Sequence, residues 1–104
     1  MIGYVFRLLP PRPDFRTTMT QDERSTMLSH VRYWSDLMDR GKVVAFGPVD
    51  DEEPYGIGII TVEDPAEAEA LRAGDPAVRS PHGFRCELAP MARLVTPAGV
   101  FDAD

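Results

Sequence analysis

Four apolar runs rich in branched or aromatic side chains and two capped amphipathic segments predict an α+β domain. Their order is β-α-β-β-α-β. A chain of 104 residues, 43% of them hydrophobic, has the size and apolar content of one self-sufficient core.

The first strand is expected over Gly3–Leu9 (GYVFRLL), where the run ends at Pro10-Pro11. Three prolines in PPRPDF then deny helical hydrogen bonds to an arm over Pro10–Met19, whose Phe15 is expected to pack on the body of the domain. Thr20 stands three residues before Glu23, the spacing of a capping box, and opens the first helix. Met27, Val31, Trp34 and Met38 recur at helical spacing along it, and Gly41 supplies the left-handed stop.

Lys42–Val49 (KVVAFGPV) and Tyr55–Glu63 read as two strands joined by the acidic turn DDEEP, hence an antiparallel pair. Asp64-Pro65 with Glu67 repeats the start signal for a second helix, and Gly74 ends it. Asp75-Pro76-Ala77-Val78 opens one more turn, and Phe84–Val95 is expected as a last strand interrupted at Pro90. The domain is placed at 1–95, with 96–104 a loosely held tail.

This is the ferredoxin-like βαββαβ plan, a four-stranded antiparallel sheet with two helices on one face. The strands Val43–Phe46 and Ile57–Val62 are apolar on both faces, so the sheet's open face needs cover. A second copy provides it with closed two-fold symmetry, giving a homodimer built as a dimeric α+β barrel.

Composition removes several classes of function. Seventeen acidic against eleven basic residues leave a charge of −6, unsuited to a phosphate backbone, so no nucleic-acid partner is expected. No signal peptide and no run of about 18 apolar residues is present, so no membrane partner is expected and the cytoplasm is the expected location. The single Cys86 forms no internal disulfide, and its strand setting reads as core rather than nucleophile. With no dinucleotide, phosphate-loop or zinc-protease motif, no cofactor and no metal are expected, and any chemistry is acid–base work by side chains.

Two residues carry that chemistry best. His30 borders the apolar stripe of the first helix, where an imidazole can act as a half-buried base or merely donate to a backbone carbonyl. Asp75 can orient that imidazole, as in a His/Asp pair, or only cap the turn after it. Phe46, Gly47 and Pro48 can floor a small pocket, with Tyr33 beside them, or simply end a strand. Arg12 and Arg16 on the arm have the fork that grips a carboxylate, or a surface role alone. His82, in SPHGF, reads as an exposed turn residue.

The ordered segments LLPPRPDF, MLSHVRYWSDL, GKVVAFGPV, YGIGIITVE, DPAV and GFRCELAPM resemble the YciI-like family, also called the YCII-related domain, over nearly the whole chain. That resemblance implies a ferredoxin-like dimer and a site made by a helix His and the Asp of the DP motif, here His30 and Asp75. It also implies a small-molecule ligand, because the family's clearest enzyme is a dehydrochlorinase acting on a chlorinated hydroxyquinol. Two functions follow as expectations. One is a cofactor-independent lyase or isomerase acting on a small polar or aromatic ring compound through the His/Asp pair; the other is a non-catalytic dimeric module that binds a small metabolite or a partner protein.

Overall fold

A computed structural model of the chain describes residues 1–103. Strands β1 (Ile2–Leu9), β2 (Val43–Val49), β3 (Tyr55–Val62) and β4 (Arg85–Pro90) form one antiparallel sheet in the order β2-β3-β1-β4. The order follows from chain geometry. The acidic turn makes β2 and β3 hairpin neighbours, and the long helix α2 (Gln21–Asp39) carries the chain across the sheet between β1 and β2.

Alternation along β1 sends Tyr4, Phe6 and Leu8 toward the helices, where they join Val43, Ile60 and Val62 in the core. From above, α2 contributes Trp34 and Leu37, helix α3 (Pro65–Gly74) contributes Ala68, and the short turn α4 (Pro76–Arg79) contributes Ala77. Trp34 is the largest of these, 2% exposed, with its ring centroid 4.6 Å from that of Phe6. Such close seating of an indole on a sheet requires a missing side chain beneath it. Gly58 provides this: a Cβ there would lie 2.6 Å from Trp34 Cζ3.

The helix signals act as the sequence predicts. Thr20 accepts from the Glu23 backbone while Glu23 accepts from the Thr20 backbone, a complete capping box. Asp64 accepts from the Glu67 backbone with Pro65 in the first turn of α3, and Gly41 takes φ 77° beyond the end of α2.

The arm differs from expectation because its prolines all precede one helical turn, α1 (Phe15–Thr18), whose carbonyl acceptors begin at Asp14. Prolines at the start of a turn block nothing, since those N–H groups have no helical acceptor anyway. Phe15 is buried, edge-on to Phe84 with centroids 5.0 Å apart. Arg12 fastens the arm to α2: its guanidinium donates to both carboxylate oxygens of Glu23 at 2.9 and 2.7 Å, and to the side chain and carbonyl of Thr18.

The C-terminal expectation needs correction. In place of one strand to Val95 and a loose tail, β4 stops at Pro90, and β5 (Arg93–Thr96) pairs with β6 (Gly99–Asp102) as a separate hairpin. The boundary at 95 therefore falls inside a strand, and residue 104 of the expected tail lies outside the described residues. Leu94, 6% exposed, seats this hairpin on the backbone of Gly3. The short nine-residue end carries no periodicity from which such docking can be read.

Gly58→Ala drives a methyl into the Trp34 ring, so it lowers unfolding free energy by about 1–3 kcal/mol and shifts tryptophan fluorescence, both measurable in one urea titration. The Arg12 ion pair and the capping bond from Thr20 lower the Glu23 carboxyl from 4.5 to about 2. A carboxyl depressed on folding contributes stability that is complete above its unfolded value and disappears as pH falls toward the folded one. The stability difference between wild type and Glu23→Gln is therefore constant near neutrality and shrinks between pH 4.5 and about 2, as paired denaturation curves across that window will show.

Candidate functional site

His30 and Trp34 are four residues apart, so both side chains leave one face of α2, and both end on Asp75. The carboxylate is wholly buried at the junction where Gly74 ends α3 and Pro76 begins α4. His30 Nδ1 lies 2.8 Å from Oδ1 and 2.9 Å from Oδ2, Trp34 Nε1–H donates to Oδ2 at 2.8 Å, and the Ala77 backbone N–H donates to Oδ1 at 2.9 Å. The two expected roles of Asp75 are thus both present: it caps α4 and it holds the imidazole.

The arrangement also sets the tautomer of His30. The carboxylate oxygens already accept from two N–H groups, so the third contact is an Nδ1–H donor and the lone pair resides on Nε2. Among the described residues Nε2 has no partner, and no sealed side-chain nitrogen or oxygen is left unpaired, so this atom is open to the space beside it. The ring itself is 12% exposed.

That space is a cavity of about 290 Å³ between α2, the arm and the ends of β1–β3, near the lower limit of small-molecule sites. Trp34, Phe6 and Phe46 line its inner wall, Gly47 and Pro48 border it along β2, and Phe15 with Phe84 closes one side. The walls are mostly apolar. His30 and Arg16 are the ionisable side chains of opposite character to that lining, apart from the phenol of Tyr55.

The structure gathers His30, Asp75, Phe46, Gly47 and Pro48 around this cavity or directly behind it. Two other expected residues lie elsewhere. Tyr33 is not among the lining residues; it turns toward α3, where its hydroxyl donates to the Leu71 carbonyl at 2.7 Å, and burial together with the Asp75 charge raises it above the usual phenol range. Arg12 is also absent from the walls, because Glu23 and Thr18 occupy its guanidinium. Its neighbour on the arm, Arg16, borders the cavity instead.

Trp34 is the contributor that sequence reading missed. Its position four residues after His30 was legible, and a buried indole N–H demands an acceptor, but the identity of that acceptor depends on a junction 41 residues away. Cys86 is half-buried, and burial raises its thiol above the usual range, so it stays protonated and a poor nucleophile. His82, expected to be exposed, is partly buried and meets Thr26 Oγ1 at 3.0 Å.

Among the described residues no helix is long and apolar enough to cross a membrane. No curated protein matches the chain. Among solved structures it is similar to 5-chloro-2-hydroxyhydroquinone dehydrochlorinase from Burkholderia phenoliruptrix AC1100, in complex with 2,5-dihydroxybenzoquinone. The TM-score is 0.55 at 17% identity over 81% of this chain and 90% of that one, a likeness of fold. The family model of the YCII-related domain matches residues 4–92, from the first core residue of β1 to just beyond the end of β4, and the chain belongs to that family.

Proposed function

We propose that this protein is an acid–base enzyme of the lyase or isomerase type, acting on a small polar or aromatic ring compound with its own side chains. The observation that carries this reading is the open Nε2 of His30, whose opposite nitrogen is bound by a buried carboxylate. Such an imidazole removes a proton at Nε2, and the imidazolium so formed is stabilised by Asp75 across the 2.8 Å contact. In an elimination, the C–H electrons become the new double bond, the leaving group departs with the electrons of its own bond, and the proton stays on His30 until solvent takes it. In an isomerisation, His30 returns the proton to another carbon. Asp75 is the positioning residue in both.

The cavity supports a ring-sized substrate by its volume and by its mostly apolar lining, in which the half-buried Phe46 and Phe84 offer aromatic surface. The similar dehydrochlorinase acts on a chlorinated ring, which supports elimination as the first reaction to test. A non-catalytic binding module remains the second reading, favoured by one observation: the bond from Ala77 N–H gives Asp75 a capping role that needs no chemistry.

The proposal includes a ferredoxin-like homodimer formed through the sheet face away from the helices. Val5, Ile59 and Ala45 lie side by side across β1, β3 and β2 on that face and are only partly covered in the single chain. The exposed Arg7–Glu87 ion pair, with Arg7 over the Tyr55 ring at 4.4 Å, borders them.

A panel of halogenated and hydroxylated ring compounds, beginning with 5-chloro-2-hydroxyhydroquinone, is assayed for chloride release and for change in ultraviolet absorbance. His30→Gln lowers turnover of whichever compound reacts by about 10²–10⁴-fold. Asp75→Asn does so as well, because its amide sets an NH2 against either the indole N–H or the Ala77 backbone N–H. Turnover by His30→Gln equal to wild type overturns the reading, and tight ligand binding without turnover favours the module. Sedimentation equilibrium should give twice the mass of the chain for wild type and a monomer for Ile59→Arg; a wild-type monomer removes the dimer from the proposal.

A further inference from the structure

Arg16 follows Arg12 by four positions on the arm, and their circumstances are opposite. Each nitrogen of the Arg12 guanidinium is engaged, with both carboxylate oxygens of Glu23 neutralising its charge. Arg16 is exposed, borders the cavity, and among the described residues makes no side-chain hydrogen bond or ion pair. The acidic turn at 50–53 makes no ion pair with it, although Pro54 and Tyr55 just beyond that turn also reach the cavity. Among the described residues no Asp or Glu lies in the cavity wall.

A guanidinium is charged at every physiological pH and carries a planar fork of donors that fits a carboxylate or another oxyanion. Placed at the rim of a mostly apolar pocket, it has nothing in the wall to neutralise it. We propose that Arg16 is the substrate-binding residue that selects anionic compounds, so that the ligand of this cavity is a small ring bearing an oxyanion, with the ring on the apolar lining beside the half-buried Phe46 and Phe84 and the charge at the arm. This deepens the enzyme reading by naming its substrate class, and it rests on that reading only for the statement that the bound compound reacts. It also gives α1 a purpose: one helical turn after the prolines carries Arg16 from the Arg12 anchor to the cavity rim.

The test compares benzoate with its neutral isostere benzamide, with phenol and its alkaline phenolate as a second pair, titrated into the full-length protein and followed by Trp34 fluorescence and amide chemical shifts. Wild type binds benzoate roughly three- to tenfold more tightly than benzamide, the range expected of a charge pair at a partly exposed rim. Arg16→Met removes that preference and leaves benzamide affinity and the thermal midpoint unchanged, and Arg16→Lys restores part of it. Raised salt weakens benzoate binding and not benzamide binding. If phenolate shares the preference, the site takes oxyanions generally; if benzoate alone shows it, the site takes carboxylates. Equal affinity for benzoate and benzamide overturns the proposal, as does failure of benzoate to saturate the site or a preference that survives Arg16→Met and vanishes in His30→Gln. Because the readout is binding, the preference stands or falls whether or not His30→Gln proves catalytically dead.

Discussion

One buried carboxylate ties this fold to its site. Asp75 takes two N–H donors from α2 and one from α4, so the long helix, the α3–α4 junction and the imidazole are fixed by the same pair of oxygens. A carboxylate withdrawn from water is costly unless its lone pairs are filled, and here three short bonds fill them. That requirement constrains the helix register. Rotating α2 by one residue, about 100°, would withdraw both His30 and Trp34 and leave the carboxylate uncompensated.

The sheet serves the same constraint from below. Trp34 reaches Asp75 with its indole nitrogen only if the ring lies low on β3, and Gly58 is the vacancy that lets it lie there. Phe6 and Phe46 then flank the ring at centroid distances of 4.6 and 6.0 Å. The same aromatic group that completes the core therefore forms the inner wall of the cavity. Packing and site share atoms, so a rigid core places Nε2 without needing loops to do it.

Local chemistry made most of this legible. Caps at Thr20 and Asp64, the stop at Gly41 and the alternation in β1 are decided within a few residues, and each element appears where those signals stand. His30 and Asp75 were legible as candidates for the same reason, one from its place beside an apolar stripe and the other from the DP turn. Their contact was not, because it is a relation between segments 45 residues apart. The two arginines show the limit most clearly. Sequence offers two equivalent forks on one arm, and only the position of Glu23, fixed by the first turn of α2, decides which is consumed as structure. The terminal hairpin was hidden for a related reason: Leu94 docks on Gly3, at the opposite end of the chain.

The arm unites these points. Its prolines limit the backbone, Arg12 anchors it to the buried Glu23, and Phe15 packs on Phe84, so three independent constraints hold one short segment over the cavity. Ordering a segment that firmly costs conformational entropy beyond what packing one phenylalanine requires, so the arm does more than cover a surface. The constraints make sense where the position of a side chain on the arm matters, and Arg16 is the charged side chain that the arm delivers to the cavity. With His30 presented from α2 and the Arg16 guanidinium from the arm, the mostly apolar cavity is bordered by one ionisable group from each of two elements. On the proposed reading, a ring bearing an oxyanion has one orientation that satisfies both groups, and orientation is what turns a basic nitrogen beside a pocket into a selective one.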